Sequence, residues 1–385
     1  MKAVFWVGVA WLAYVYVGYP LVLWVIGSLG GKQFDTRADC LPVVSVLISA
    51  RNEEKDIGWK VKETLNWNYP PERLEVLVAS DASEDRTDEI LRSIADPRLR
   101  YVRNSQRTGK NPALNRLAEL AHGELLFFTD ANSHIAADCL RKMASHFADS
   151  RVGCVTGWER SENQASSPGM AVGGGAYLGY ESLINSLESR LGSVLVCDGS
   201  VFCVRRELFT GLQADLANDL ELPLRIGARG YALLYEPGAY STEKNTSSPQ
   251  EEFRRRRRIC GQGILGFWRL RDQIGGLRAW QFFSRKVMRW LALLAMVMAL
   301  VASALLARSP FFGVLLALQM AFYLCAIAGG YCVTRTNYTG RLLALPFYFL
   351  LVNAGALTGV VEACFGRRFS VWEIPTLSRG REGAR

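Results

Sequence analysis

Residues 124–134 read Glu-Leu-Leu-Phe-Phe-Thr-Asp-Ala-Asn-Ser-His, and this stretch decides the fold. Its apolar run, Leu125–Phe128, is short enough to be a strand buried on both faces of a parallel sheet. Asp130 and Asn132 follow at the carboxyl end of that strand, where ligands bind in open α/β sheets. Two oxygen-bearing side chains two residues apart can hold a divalent cation and, through it, a diphosphate. The alternative interpretation is an ordinary strand followed by a helix cap at Asn132 or Ser133.

The composition indicates a protein of two parts. Of the 385 residues, 50% are hydrophobic and 21% are charged, and the mean hydropathy is +0.08. This is too apolar for an ordinary soluble enzyme and too charged for a pure membrane bundle, so we expect a soluble domain with membrane segments. The net charge of +9 suits nucleic acid, anionic lipid or a phosphorylated substrate. Nine cysteines without a CxxC pair are typical of a reducing compartment.

Four apolar stretches are long enough to span a bilayer, one near the N-terminus and three towards the C-terminus. Lys32 and Arg37 follow the first stretch, and the positive-inside rule then favours a cytoplasmic continuation. Four spans would, however, place the basic C-terminal tail outside, so either the rule fails here or one segment does not cross. We expect five regions: an N-terminal membrane helix (1–30), an α/β domain (40–248), basic amphipathic interface helices (249–285), three C-terminal membrane segments (286–365) and a basic tail (366–385).

Strand-like and helix-like segments alternate through the expected soluble domain. This βαβα order predicts an α/β layered fold with a largely parallel sheet. Besides the opening stretch, the predicted strands are 43–49, 74–80, 99–103, 152–157, 199–204 and 231–235.

Acidic and amide side chains recur at or beside the ends of these strands. They are Asn52-Glu53-Glu54, Asp81 with Asp85, Asp130 with Asn132, and Asn218-Asp219. Several carboxylates converging on one sheet edge are unstable without a counter-ion or a ligand. A metal-bound nucleotide would supply both.

At this point the sequence resembles the family 2 glycosyltransferases, in particular the membrane-embedded inverting branch of the cellulose and hyaluronan synthase-like superfamily. The resemblance covers roughly residues 42–290 and rests on the order of its motifs. It implies a GT-A nucleotide-diphospho-sugar transferase domain, a Rossmann-like mixed α/β sheet, with transmembrane helices. The matching pieces are Ser49–Glu54, Ser80–Thr87, Gly109–Asn115, Thr129–Asn132, Asn218–Leu220, Arg255–Arg258 and Lys286–Trp290.

The resemblance assigns a nucleotide-sugar donor to the first motifs. Asp81 would contact the base and the ribose, Asn52 and Glu53 would lie beside the nucleotide, and Lys110 would meet the diphosphate. Asp85 is a weaker candidate for the donor site. For Glu53 and Asp85 the alternative is a carboxylate at a helix start, and for Lys110 it is a solvated lysine.

The metal site implied by the resemblance consists of Asp130 and Asn132, with Mg²⁺ or Mn²⁺ as the cofactor. Asp130 would also bind the nucleotide sugar, near the ribose and the diphosphate. The family pattern is Asp-x-Asp, whereas this chain has Asp-x-Asn. Asn132 keeps an oxygen ligand and loses a charge, which weakens metal affinity without abolishing it, because hard cations accept amide oxygens.

Asp219 is the expected catalytic base. Inverting sugar transfer needs a carboxylate that takes the proton from the acceptor hydroxyl as it attacks the anomeric carbon. The family has an acidic residue before this aspartate, and here Asn218 replaces it. The alternatives are that Asp219 is only a helix-start carboxylate, or that Glu221 is the base.

Five consecutive arginines, Arg254–Arg258, have two interpretations. One is an anchor against anionic lipid. The other is a clamp on the leaving diphosphate, with Arg255 and Arg258 at the spacing of the family's Gln/Arg-x-x-Arg-Trp motif. Ile259 replaces the tryptophan that helps polymerising synthases hold the acceptor end by stacking, and this favours transfer of a single sugar.

The expected function is transfer of one sugar from a nucleotide-diphospho-sugar, foremost a UDP-sugar, to a lipid or lipid-linked saccharide. It belongs to surface polysaccharide or glycolipid synthesis. The enzyme would be multi-pass in the cell inner membrane with its catalytic domain in the cytoplasm, and other polysaccharide-assembly proteins are further candidate partners. A processive polysaccharide synthase and a catalytically inactive membrane scaffold are the alternatives. Nucleic acid is not an expected partner, because no platform of aromatic and basic residues is apparent.

Overall fold

A computed structural model describes residues 1–161, 168–243, 248–335 and 340–369. Its centre is one eight-stranded mixed sheet in the order β3-β2-β1-β4-β7-β6-β8-β5. The predicted strands are confirmed. The strands are β1 (Val44–Ala50), β2 (Leu74–Asp81), β3 (Leu99–Asn104), β4 (Leu125–Asp130), β5 (His134–Ile135), β6 (Val152–Ser161), β7 (Phe202–Arg205) and β8 (Ala232–Glu243).

The register of the sheet brings the predicted site residues to one edge. β1 runs parallel to β2, with Ala50 opposite Ser80, and parallel to β4, with Ser49 opposite Asp130. The carboxyl ends of these three strands are therefore level. Strand β7 pairs antiparallel with both β4 and β6, and β5 pairs antiparallel with β8, whereas the other six strands run in one direction, so the sheet is mixed but largely parallel.

Both faces of the sheet are covered, which explains the uninterrupted apolar runs. On β1, Val46 and Ile48 belong to the core on one face, whereas Leu47 belongs to the core on the other. Phe127 and Phe128 of β4 divide between the two faces in the same way. Alternate side chains point to opposite faces of a strand, so both must be apolar here.

Twelve helices accompany the sheet in the described ranges, apart from short 3₁₀ turns. They are α1 (Lys2–Gly30), α2 (Ile57–Leu65), α3 (Thr87–Ser93), α4 (Lys110–Leu120), α5 (Cys139–Ser145), α6 (Pro168–Ser189), α7 (Asn218–Ala228), α8 (Pro249–Leu270), α9 (Gly276–Trp290), α10 (Ala292–Leu305), α11 (Pro310–Arg335) and α12 (Arg341–Cys364). The helix-cap interpretation of Asn132 and Ser133 is wrong. Strand β5 follows these residues, and the next helix begins at Cys139 with Asp138 as its N-cap.

Three helices, α1, α11 and α12, are long and apolar enough to cross a membrane, and α9 with α10 forms a fourth candidate bent by 56°. α1 and α9 each contain one π-helical turn, at Tyr14–Gly18 and Phe283–Val287. The two turns are adjacent, since the hydroxyls of Tyr14 and Ser284 are 2.8 Å apart. The expected polar loop at 162–167 and most of the expected basic tail (370–385) lie outside the described residues.

Candidate active site

A cavity of about 380 Å³ lies between the carboxyl edge of the sheet and the helices that lead to the membrane segments. Five of the predicted site residues line it. They are Lys110, Asp130, Asp219, Arg255 and Arg258. The other predicted residues lie outside the lining of this cavity.

Two loops at the ends of β1 and β2 are joined by hydrogen bonds, and they contain Asn52, Glu53 and Asp85. The Asn52 side-chain oxygen accepts a hydrogen bond from the Glu84 N–H at 2.9 Å, and Asp85 accepts one from the Glu54 N–H at 3.0 Å. Glu53 is buried, and its N–H donates to the Thr87 hydroxyl at 2.8 Å. Asp85 also accepts from the Thr87 N–H, which gives it the helix-start role that the sequence left open.

The backbone of these loops is unusual at two non-glycine residues. Asn52 and Ala82 have φ of 53° and 52°. Asparagine tolerates the left-handed region, whereas alanine does so at a cost of order 1–3 kcal/mol unless its surroundings fix it. The hydrogen bonds between the loops provide that fixation, so the two strand ends form one rigid platform.

Asp81 connects this platform to the start of α4. Its fully buried carboxylate accepts hydrogen bonds from the N–H groups of Thr108 and Gly109, both at 2.8 Å, and from the Asn104 amide at 3.2 Å. Burial raises the pKa of Asp81, but these donors outweigh burial and leave the pKa below its usual value. The geometry gives Asp81 a positioning role for Lys110, and its contact with a nucleotide stays a prediction.

Lys110 and Asp130 face each other across the cavity edge. The ammonium of Lys110 lies 2.5 Å from the Asp130 carboxylate, and both side chains are partly exposed. A lysine and a carboxylate so placed can bind a diphosphate and its cation, respectively. The alternative of a solvated Lys110 without a partner is therefore wrong.

The donor set for a metal is sparse. Asn132 is exposed and does not line the cavity, and no group of three or more His, Cys, Asp or Glu side chains in the described ranges could hold a metal ion. Mg²⁺ and similar cations are often held by one or two carboxylates together with substrate phosphates and waters. Asp130 fits a cation of that kind, which would arrive with the nucleotide.

Asp219 lies at the start of α7 and points into the cavity. Within the described residues its carboxylate accepts no hydrogen bond, and its Oδ2 lies beside Gly199 in the cavity lining. Burial raises the pKa of Asp219, and the charges of Lys110, Lys286 and Arg258 only partly offset this effect. A carboxylate with a raised pKa and free lone pairs is suited to accept a proton.

Glu221, the alternative base, has its carboxylate engaged by partners outside the cavity. It is buried, forms a 2.6 Å ion pair with Arg225 and accepts a hydrogen bond from the Gln213 N–H at 3.0 Å. It does not line the cavity. The structure therefore separates the roles of Asp219 and Glu221, which the sequence could not.

The five arginines of α8 point in different directions. Arg255 reaches the buried Glu159 at 2.9 Å, and Arg258 lines the cavity three residues further on. Arg256 pairs with Glu252 and Arg257 pairs with Glu362, at 2.6 and 3.0 Å. Residues three apart share a helix face, so Arg255 and Arg258 can act together on one anion.

Among the acidic residues of this cavity, sequence reasoning missed Asp198 and Glu159. Asp198 lines it, and burial together with the Glu159 charge raises the pKa of Asp198 to about 6. Its carboxylate accepts hydrogen bonds from the Ser200 hydroxyl and N–H, at 2.6 and 3.0 Å. Glu159 lies at the far end of β6, beside Arg255. The sequence Cys-Asp-Gly-Ser at 197–200 was the available signal, because a polar turn preceded a predicted strand.

The wall of the cavity on the membrane side is a dense charge network. Glu181 of α6 bridges Arg285 and Arg289 of α9, at 2.7 and 2.5 Å. The guanidinium of Arg256 stacks on the Tyr177 ring, 4.0 Å from its centre. Glu252 accepts a hydrogen bond from the Tyr348 hydroxyl of α12 at 3.0 Å. Helices α6, α8, α9 and α12 therefore complete this cavity.

Comparison with solved structures identifies the fold class. The mannosyltransferase PcManGT from Pyrobaculum calidifontis, solved in complex with GDP-Man and Mn²⁺, superimposes with a TM-score of 0.72 at 22% identity. The match covers 95% of this chain and 100% of that one. The sheet, its carboxyl-edge cavity and this match define a GT-A fold, as the sequence predicted.

The sequence comparisons then give the family. The model of glycosyl transferase family 2 matches residues 45–209, which lie within the α/β domain. The beta-monoglucosyldiacylglycerol synthase of Trichormus variabilis is 25% identical over 324 residues, which is 81% of this chain and 69% of that protein. The N-acetylglucosaminyltransferase of Rhizobium meliloti is 25% identical over 379 residues, which is 92% of this chain and 87% of that protein. The protein is a glycosyltransferase.

Proposed function

We propose that this enzyme transfers a sugar, with inversion, from a nucleotide-diphospho-sugar to a lipid or lipid-linked acceptor. One observation carries the proposal: a single cavity joins Lys110 and Asp130 of the sheet edge, the free carboxylate of Asp219, and side chains of the helices that lead into the apolar segments. A donor site in the α/β domain thus opens directly towards the membrane.

Asp219 acts as the general base. Its carboxylate takes the proton from the acceptor hydroxyl, the hydroxyl oxygen attacks the anomeric carbon, and the bond to the diphosphate breaks with its electron pair on the leaving oxygen. Burial raises the pKa of Asp219 above the usual range of an aspartate, which strengthens it as a base. The charges of Lys110 and Arg258 stabilise the negative charge that develops on the diphosphate.

A divalent cation, Mg²⁺ or Mn²⁺, would neutralise the diphosphate further when it is bound. Asp130 would hold it, together with phosphate oxygens, and Asn132 is a second oxygen donor if its turn moves inwards. The locked loops of Asn52, Glu53 and Asp85, with Asp81 behind them, then form the floor against which the base and ribose lie.

The acceptor and the location follow from the membrane side of the cavity. The relatives from Trichormus variabilis and a Nostoc strain are named as synthases of a glucosyl diacylglycerol, which supports an acceptor with a lipid portion. The apolar helices support a multi-pass protein of the inner membrane, with the α/β domain in the cytoplasm. Ile259 lines the cavity in place of an aromatic residue, which supports transfer of one sugar.

The test is release of nucleoside diphosphate from a panel of nucleotide sugars, with Mg²⁺ or Mn²⁺ and membrane lipids as acceptors. One donor should be turned over and should yield a lipid with a single added sugar. A ladder of long polymer would establish the processive alternative instead. No turnover and no donor binding by folded protein would leave the inactive-scaffold alternative.

A further inference from the structure

The first half of helix α12 touches the catalytic side of the molecule. The Tyr348 hydroxyl donates to Glu252 and lies 3.4 Å from the Arg256 guanidinium, and both partners belong to α8. On its other side Tyr348 packs against Gly173 of α6, where a side chain would collide with the ring. α8 and α6 both line the active-site cavity.

The second half of α12 also packs against α8. Gly359 lies so close to α8 that an added Cβ would stand 2.1 Å from the Arg257 carbonyl oxygen. Glu362 pairs with Arg257 at 3.0 Å. Beyond the helix end, the Phe369 carbonyl accepts a hydrogen bond from the Gln262 side chain at 3.0 Å.

These contacts conflict with a membrane-crossing path for α12. Its 24 residues extend over about 36 Å, enough to cross a bilayer. Yet between Tyr348 and Phe369 the chain advances along α8 only from Glu252 to Gln262, which is about 15 Å. A segment that crossed would carry its end about 30 Å away from the domain, whereas this one contacts α8 at Tyr348, again at Gly359 and Glu362, and beyond its end at Phe369.

The other apolar helices contact one another at the end of the molecule that is remote from the α/β domain. Phe5 of α1 and Phe312 of α11 are in edge-to-face contact, with ring centres 5.3 Å apart. Gly8 packs against Ala295 of α10, and further down α1 the Trp11 indole donates to the Met288 carbonyl at 3.0 Å. α1 and α10 are therefore antiparallel neighbours, and α11 begins beside the N-terminus, at the end remote from the α/β domain.

We propose that α12 does not cross the membrane but lies on the same side as the α/β domain. Its exposed apolar residues, Leu342, Leu345, Val361 and Phe365, then face the acyl region of the adjacent lipid leaflet. α1, the bent pair α9–α10, and α11 make three crossings. The chain then leaves α12, at residues 366–369, on the side of the α/β domain.

Charge supports this arrangement independently. Arg335, Arg341, Arg367 and Arg368 then fall on the side of the α/β domain, and the turn between α10 and α11 carries only Arg308. The positive-inside rule is then obeyed, without the conflict that four crossings create. The Arg257–Glu362 pair also remains near water rather than in hydrocarbon, where charged side chains are costly.

The test compares single introduced cysteines with a membrane-impermeant maleimide, in full-length protein that carries Cys364→Ser. Ser93→Cys marks the α/β domain, Ser309→Cys marks the turn between α10 and α11, and Ser378→Cys marks the tail. Each is labelled in intact cells and after permeabilisation, with the Cys364→Ser parent as background. Nucleoside diphosphate release checks that each variant is folded.

The tail and domain cysteines should react with the maleimide only after permeabilisation, or both already in intact cells. The turn cysteine should show the opposite accessibility. Tail labelling that follows the turn cysteine would overturn the proposal. A C-terminal fusion provides a second measurement: green fluorescence supports the inference, and alkaline phosphatase activity contradicts it. The proposal states only that the α/β domain and the end of α12 lie on the same side of the membrane. If both the domain cysteine and the tail cysteine were labelled in intact cells, the cytoplasmic assignment would be wrong, but the proposed path of α12 would still hold.

Discussion

Replacing Asp219 by asparagine should abolish sugar transfer while preserving the fold. The carboxylate accepts no hydrogen bond within the described residues, so the isosteric amide leaves no partner unsatisfied. Loss of a general base typically lowers kcat by about 10²–10⁴-fold, which corresponds to about 3–5 kcal/mol of barrier. The assay is release of nucleoside diphosphate at saturating donor and acceptor, and donor affinity should change little.

The same substitution should raise thermal stability at neutral pH. Burial raises the pKa of Asp219, so the folded state holds a proton more tightly than the unfolded chain does. The ionised carboxylate therefore destabilises the fold at a pH above the raised pKa, and this penalty disappears as the pH falls below the ordinary value of about 3.9. The Tm difference between Asp219→Asn and wild type should shrink accordingly on acidification.

Glu221→Gln is the matched control two residues away on α7. It breaks a buried ion pair with Arg225, so stability should fall by about 2 kcal/mol, whereas kcat should stay within a few-fold of wild type. The two variants thus have opposite expected effects on stability and activity. An Asp219→Asn enzyme that retains a tenth or more of wild-type kcat would refute the assignment of the base.

Three further outcomes are expected. Asp81→Asn should lower stability by about 1–3 kcal/mol, measured by urea unfolding, and weaken donor binding, because the loop before Lys110 loses its carboxylate acceptor. Arg258→Met should weaken nucleoside diphosphate binding about tenfold by calorimetry, whereas Arg254→Met, on the outward face of the same helix, should leave the Kd unchanged. Chelation with EDTA should lower turnover, and Asn132→Asp should reduce the Mn²⁺ concentration needed to restore it; equal requirements in both proteins would count against Asn132 as a ligand.

The sequence predicted the strands well because their signal is local. β1, β2 and β4 are continuous apolar runs followed by polar residues, and parallel strands bring such ends to one edge. The placement of Asp130 at the cavity follows from this rule, whereas Asp219 comes after the antiparallel β7 and reaches the cavity from the first turn of α7. The direction of β7 was not predictable, because four residues with an apolar pattern carry no information about pairing partners.

The features of the site that could not be predicted from the sequence depend on contacts between distant segments. Asp198 looked like an ordinary turn residue, and only the approach of Glu159 and Arg255 brings it into the site. Asp81 matched a donor motif, yet its lone pairs are used by the loop before α4. Hydropathy likewise does not separate a crossing helix from the path proposed for α12, because an apolar surface facing a lipid leaflet and one buried in a bilayer have similar composition.

The Tyr348–Glu252 hydrogen bond across the membrane-side wall has a consequence for biosynthesis. Asp130 and Lys110 emerge from the ribosome more than 200 residues before Tyr348, so the cavity remains open on that side until nearly the whole chain has been made. Domains fold largely in the order in which they are synthesised. A nascent chain would therefore possess its nucleotide edge without an enclosed cavity, and docking of α12 on α8 is the step that completes the membrane-side wall.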